Sequence, residues 1–250
     1  RTFVAAAGTA TATALAGCSS GGDGTPTPTS GDGGGDGDGG STATPDPAAA
    51  QQGGTLVAGM QSGLDGRDPH LVQAASTLRV LENIYGKLVE IDQDLKPVGQ
   101  LATDWTVSDD DLTWTFQLRE GVMFHPPVSR ELTAADVVYS FERLLDEDTG
   151  SPWRSNFTPI ANVSADGDYT VVFEFNEPYA PFLFKLSSGG YILPEGADDA
   201  SDYDISDQPV GTGPFVFDEN VAQARTNVTA FEDYYETDGD GTALPYLDEV

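Results

Sequence analysis

Apolar residues recur at helical spacing between residues 132 and 145. Thr133 can cap the start of a helix here, because Asp136 three residues later can complete a capping box with it. The negative charge of Asp136 also suits the positive end of the helix dipole. The apolar positions fall on one face of a helix with 3.6 residues per turn: Val137, Val138, Phe141, Leu144 and Leu145. The pattern predicts an amphipathic helix with one buried stripe.

Tyr139 lies almost opposite that stripe, on a face that it shares with Asp136 and Arg143. An aromatic residue on a polar face is not expected to serve the core. Two interpretations stay open from the pattern alone. Tyr139 is either a chance surface residue or part of a contact surface for another molecule.

Alternating apolar and polar residues predict strands elsewhere in the chain. Residues 109–111 predict a turn, and the alternation after it places four apolar side chains on one face of a half-buried strand: Leu112, Trp114, Phe116 and Leu118. Trp114 is therefore expected to serve the core rather than to form a ligand platform. A second strand is predicted from Tyr169, Val171, Phe173 and Phe175.

Two further elements are expected near the start of the folded part. Residues 55–60 form an apolar run that predicts a short buried strand. Ser76 can cap a helix that carries five apolar residues on one face: Leu78, Leu81, Ile84, Tyr85 and Leu88.

Residues 1–18 are predicted to be a signal peptide. Its small apolar residues lead to Leu15-Ala16-Gly17-Cys18, which resembles a lipobox in which the cysteine thiol accepts a lipid. A lone cysteine in an alanine-rich stretch is the alternative. Cys18 is the only cysteine, which excludes a disulfide framework. Residues 19–52 contain almost only Gly, Ser, Thr, Pro, Asp and Ala, and are predicted to be a disordered tether.

The charge balance is strongly acidic: 41 acidic residues stand against 11 basic ones, for a net charge of −30. Such a surface repels the phosphates of nucleic acids and anionic lipid headgroups, so neither is an expected partner. Carboxylates spread along the whole chain favour a halophilic, haloarchaeal protein in salt-rich surroundings. An acidic protein with basic clients is the alternative.

Candidate catalytic chemistry is sparse. His70 and His125 are the only histidines, and neither has a metal-spaced partner or a nearby nucleophile motif. His70 is expected to be structural or exposed. Residues 210–215 contain glycines without the Lys-Ser/Thr of a phosphate loop, so they predict a tight connector. No cofactor, no metal and no enzymatic activity are expected.

The ordered series of short motifs resembles the extracellular solute-binding proteins of family 5, the oligopeptide- and dipeptide-binding proteins of ABC importers. The resemblance runs from about residue 53 to residue 250, and its signature is T-A-A-D-V-V-Y-S-F-E-R-L-L-D at 133–146. Other matching stretches lie at 85–89, 95–97, 101–105, 119–125, 150–153, 177–183 and 210–215. The stretch at 150–153 ends in Trp153 where the family has tyrosine.

The resemblance implies a periplasmic-binding-protein-like α/β fold (type II, peptide-binding subclass), of which this chain forms the first lobe with an inserted subdomain. Residues 53–89 and 188–250 are expected to form the core of this lobe, and residues 90–187 the inserted subdomain. The second lobe is expected to be missing from this chain.

The resemblance also implies a function: a substrate-binding lipoprotein, lipid-anchored and monomeric at the extracellular face of the plasma membrane. It would capture peptides and deliver them to ABC permease subunits. Carried across position by position, the expected backbone contacts to the ligand are those of Gln73 and Ala75. The ring and hydroxyl of Tyr139 are the third candidate contact, because Tyr139 lies on the polar face of its helix. A secreted hydrolase, or a binding protein for nickel complexes or sugars, is the alternative. A surface-layer protein would need repeats, which the sequence lacks.

Overall fold

The computed structural model describes residues 52–197, 204–222 and 224–250. The predicted signal peptide with Cys18, and all of the predicted tether except Gln52, lie outside these residues. The described part contains three α-helices, eight β-strands and a short 3-10 turn, Arg154–Asn156. The helices and strands are, in chain order, α1 (Ala75–Leu81), β1 (Val89–Ile91), β2 (Pro97–Gly99), β3 (Ala102–Val107), β4 (Thr113–Leu118), α2 (Ala134–Leu145), β5 (Ile160–Ala165), β6 (Thr170–Phe175), α3 (Phe182–Gly189), β7 (Phe215–Val221) and β8 (Arg225–Ala230).

The largest sheet is antiparallel, with the strand order β3-β4-β6-β5. β3 and β4 form the predicted hairpin, and Asp111 in its turn has a positive φ of 59°. The Asp110 carboxylate accepts hydrogen bonds from the Ser108 hydroxyl at 2.6 Å and the Leu112 N–H at 3.2 Å. These bonds hold the pKa of Asp110 below its ordinary value. The predicted β4 and β6 are both confirmed.

Aromatic rings form the core on one face of this sheet. The Phe173 ring meets the rings of Phe116, Phe141 and Phe182 edge to face, with centroids 5.5, 4.9 and 5.2 Å away. α2 supplies Phe141 and α3 supplies Phe182, so both helices are fixed on the sheet. Trp114 packs edge-on against Phe182 at 5.5 Å, which confirms its place in the core. We call this group of residues the aromatic core.

A second cluster of buried residues lies around the chain before α1, the 191–193 stretch and the β7–β8 pair. It consists of Val72, Leu81, Ile84, Tyr85, Tyr191, Leu193, Ala197, Ile205, Phe215 and Val228. We call it the second cluster. β1 pairs with β2, and β7 with β8, as separate antiparallel pairs. The lobe and subdomain boundaries at 53–89, 90–187 and 188–250 stay a prediction.

The helix expected from Ser76 onward is shorter than predicted, and Ser76 does not cap it. α1 begins after the N-cap residue Ala74 and ends at Leu81. Beyond it the chain tightens, because the N–H groups of Asn83 and Ile84 bond to carbonyls only three residues back. Ile84 and the residues that follow therefore lie in or after a turn and are not on the buried face of a helix.

The buried strand expected at residues 55–60 is also wrong. Thr55 forms a single bridge, to Glu249, and the side chains after it are open to solvent. Leu56 is 50% exposed, Val57 89% and Met60 41%. An apolar run is buried only where another element packs on it, and no described element covers this one.

None of the helices in the described ranges is long and apolar enough to cross a lipid bilayer.

Candidate binding site

Helix α2 is covered on two faces. The predicted apolar stripe packs on the aromatic core through Val137, Phe141 and Leu144. On the opposite side Tyr139 packs, half-buried, against the second cluster, and Asp136 is completely buried. The expectation that this face lies outside the core is wrong, because the second cluster covers it. The role of Tyr139 as a ligand contact stays a prediction.

Polar groups fix the start of α2. The Asp136 carboxylate accepts a hydrogen bond from the Thr133 N–H at 2.8 Å, which is the acidic half of the predicted capping box. The same carboxylate accepts from the Glu195 N–H at 2.8 Å and from the Arg130 guanidinium at 2.6 Å. A buried carboxylate is tolerated here because several donors satisfy it.

A buried ion pair joins α2 to the turn that precedes residues 71–75. The Arg143 guanidinium donates to both oxygens of the Asp68 carboxylate, at 2.6 and 3.3 Å, and the two side chains are 7% and 5% exposed. Asp68 also accepts from the His70 N–H at 2.9 Å. Because a bidentate pair of this kind has a fixed geometry, it sets the direction in which the chain enters residues 71–75.

Residues 71–75, here called the extended segment, have one buried and one open side. Leu71, Gln73 and Ala75 are exposed, whereas Val72 points into the second cluster. The Gln73 side-chain amide donates to the Pro152 carbonyl at 3.3 Å. Within the described residues, the backbone N–H groups of Gln73 and Ala75 have no hydrogen-bond acceptor. Residues two apart on a strand present their N–H groups to the same side, so this side can bind another backbone.

The carbonyl side of the same stretch is occupied by donors from the 150–153 loop. The Ser151 hydroxyl donates to the His70 carbonyl at 2.7 Å. The Trp153 Nε1–H donates to the Pro69 and Val72 carbonyls, each at 3.0 Å. The extended segment is thus held from one side by side chains about 80 positions later in the chain, and is open on the other.

Both histidines have structural roles. His70 is completely buried, and its Nε2 lies 2.9 Å from the Tyr191 carbonyl oxygen. His125 Nε2 lies 2.9 Å from the Gly213 carbonyl oxygen, and burial lowers the pKa of His125 to about 4. A Cβ on Gly211 would lie 2.1 Å from the Ile84 carbonyl oxygen, so this glycine serves close packing of two chain segments. The prediction of a tight connector is confirmed.

No group of three or more His, Cys, Asp or Glu side chains among the described residues is arranged to hold a metal ion. Of the predicted site residues, Gln73 and Ala75 lie on the open side of the extended segment. Tyr139 packs against the second cluster, which includes Val72 of the extended segment. Cys18 lies outside the described residues.

The architecture is that of α/β proteins of the periplasmic-binding-protein type. The sequence model for bacterial extracellular solute-binding proteins, family 5 (middle), matches residues 96–250. The chain is 31% identical to the dipeptide-binding protein of Escherichia coli K12 over 215 residues, which is 76% of this chain and 40% of that protein. The chain belongs to the family 5 extracellular solute-binding proteins, as its motifs predict.

Solved structures agree with this assignment. The periplasmic binding protein DppA of Helicobacter pylori, in complex with the peptide STSA, matches with a TM-score of 0.70 at 31% identity, over 80% of this chain and 42% of that one. NikZ of Campylobacter jejuni, in complex with Ni(L-His), matches with a TM-score of 0.59 at 25% identity, over 69% of this chain and 34% of that one. The chain spans 34–42% of the length of these relatives, and the predicted type II peptide-binding fold is confirmed for the part they share.

Proposed function

We propose that this chain carries part of the binding site of a solute-binding protein that captures di- and oligopeptides outside the cell for an ABC importer. The observation that carries the proposal is the open side of the extended segment, with the unpaired N–H groups of Gln73 and Ala75. These donors bind peptide carbonyl oxygens, as an edge strand binds an added strand. Recognition through the backbone tolerates many side chains, which suits a peptide scavenger.

Tyr139 is the proposed second contact. It is half-buried against the second cluster, which includes Val72 of the extended segment. Its ring offers an apolar face and its hydroxyl a polar tip, a combination that suits a peptide ligand. The remaining contacts come from a second lobe, which closes over the solute in a hinge motion.

The proposed setting is the extracellular face of the plasma membrane. The lipid on Cys18 holds the protein there, and residues 19–52 are a flexible tether that lets the monomeric domain reach the permease. The acidic composition keeps it soluble at high salt.

A different small solute is the second candidate, because the similar NikZ was solved with Ni(L-His). Peptides are favoured here, since the unpaired groups of the extended segment are backbone donors. A secreted hydrolase has less support, because both histidines are buried and engaged with backbone carbonyls.

Titration calorimetry of the full-length protein at high salt tests the proposal. Dialanine, trialanine, Ni(L-His) and a sugar acid are the probes. Saturable binding of the peptides supports the proposal, whereas heat with Ni(L-His) or the sugar acid alone contradicts it. A depsipeptide analogue of trialanine, with an ester in place of the first of its two amides, should bind about five- to tenfold more weakly because the ester carbonyl is a poorer acceptor.

Ala75→Pro tests the backbone donor from the protein side. Ala75 is the first residue of α1, where proline is well tolerated, and Ala74 before it has φ −66° and ψ 125°, which proline accepts. The variant should keep its melting temperature while its affinity for trialanine falls about five- to tenfold, because one N–H donor is gone. Ala75→Ser, which keeps the N–H, is the matched control. Equal affinities of the two variants would remove the Ala75 N–H from the site.

A further inference from the structure

We propose that Trp153 is a positioning residue for peptide binding: its indole holds the carbonyl side of the extended segment, so that the opposite side presents its donors in one geometry. This inference rests on the proposed function and extends it to a residue that does not touch the peptide. It concerns a side chain for which the local sequence pattern indicates no such role.

The indole N–H is shared between two carbonyl groups. Trp153 Nε1 lies 3.0 Å from the Pro69 oxygen and 3.0 Å from the Val72 oxygen. One donor that bridges two acceptors fixes their separation, and these two carbonyls flank the turn that leads into the extended segment. The ring itself is part of the shell around the aromatic core. The indole therefore ties the turn to the aromatic core.

Helix α3 leaves room for this ring. Its last residue is Gly189, and a Cβ there would lie 2.5 Å from Trp153 Cε3 and 2.7 Å from Cδ2. Gly189 does not have the positive φ that favours glycine, so its backbone conformation does not require glycine. The requirement comes from the indole, which occupies the space of the missing side chain.

The physical effect is preorganisation. A donor side of the extended segment that is already fixed loses little conformational freedom when a peptide binds, so more of the hydrogen-bond energy appears as affinity. Trp153→Phe keeps an aromatic ring but removes the donor to both carbonyls. Trp153→Tyr has the same ring as the phenylalanine variant and returns one hydroxyl donor, so the difference between the two reports the hydrogen bond and not the packing.

The test is calorimetry with trialanine on the full-length protein at high salt. Trp153→Phe should raise the Kd about fivefold, and Trp153→Tyr should recover most of the loss. Gly189→Ala should also weaken binding, because the added methyl group displaces the indole of an otherwise unchanged Trp153. Ser188→Ala, an exposed neighbour on the same helix, is the control and should bind as the wild type does. Equal Kd values for wild type and Trp153→Phe, or equal weakening by phenylalanine and tyrosine, would overturn the inference.

Amide hydrogen exchange in the peptide-free protein separates this inference from the proposed function. The Leu71 N–H bonds to the Asp68 carbonyl inside the turn that Trp153 holds. Its exchange should accelerate in Trp153→Phe and Gly189→Ala but not in Ser188→Ala. Faster exchange with no binding of trialanine by the wild type would leave the positioning role standing while the peptide proposal fails. Unchanged exchange would overturn the positioning role whatever the protein binds.

Discussion

The four-stranded sheet and the extended segment are held by different kinds of contact. Rings that alternate along β4 and β6 meet across the sheet, so neighbouring strands hold each other by apolar packing. The extended segment is held instead by polar donors from far along the chain, such as Arg143, which lies 75 positions after its partner Asp68. The difference indicates that stability and site geometry reside in separate places, and substitutions should be able to change one without the other.

The largest expected effect comes from the apolar side of this comparison. Phe173→Ala removes a fully buried ring that contacts three others, and should cost about 3–5 kcal/mol of unfolding free energy. Urea titration measures this loss. The fraction that stays folded should bind trialanine with the wild-type Kd, because the hydrogen bonds and the ion pair that hold the extended segment do not involve the Phe173 ring.

Phe184→Ala is the matched control, since Phe184 is 48% exposed and its loss should change the unfolding free energy by less than about 1 kcal/mol. Equal destabilisation by the two substitutions would contradict the view that the aromatic core carries the stability.

A smaller effect is expected from the buried ion pair. Arg143→Met leaves the Asp68 carboxylate buried without its guanidinium partner, and should cost about 3 kcal/mol. Peptide affinity should fall as well, because the turn before the extended segment loses its bidentate contact. The combined readout, urea titration with calorimetry, distinguishes this residue from Phe173.

Arg225→Met is the control for charge. Its partner is Glu219, and the two side chains are 58% and 46% exposed, so this pair should contribute little. The comparison fails if the exposed pair proves as costly to break as the buried one.

The same contrast explains which parts of the structure the sequence could predict. Helix α2, the hairpin at 109–111 and strand β6 follow from local periodicity, which holds wherever one face of an element is buried. The ligand contacts of the extended segment are a prediction that follows only from the resemblance of the motifs to a known family. Backbone groups carry no residue-specific signal of their own.

Long-range contacts account for what could not be predicted. The apolar run at 55–60 looked like a buried strand, yet burial depends on a covering element that the run itself does not specify. The second cluster behind Tyr139 is assembled from segments at 72, 191 and 215, so the polar pattern of α2 could not reveal it. The bonds of Trp153 join positions 81 and 84 apart, and no local pattern reports them.

The last prediction concerns another long-range polar contact, the one that His125 makes with Gly213, 88 positions away. Burial lowers the pKa of His125 to about 4, below the value of about 6.5 expected in the unfolded chain. Between these two values the unfolded chain binds the extra proton, so this contribution to stability is complete above pH 6.5 and is lost as the pH falls towards 4. Between pH 8 and pH 5 the loss should be about 2 kcal/mol.

Urea titrations of wild type and His125→Gln at both pH values measure this loss of stability. Glutamine keeps a hydrogen-bond donor but does not titrate, so the variant should lose about 2 kcal/mol less than the wild type. The comparison of the two proteins cancels the contribution of the carboxylates, because both proteins carry the same 41 acidic residues. If the two proteins lose the same stability, His125 is not the pH-sensitive contact. If Phe173→Ala also removes the pH dependence, the aromatic core and the polar contacts are not separable.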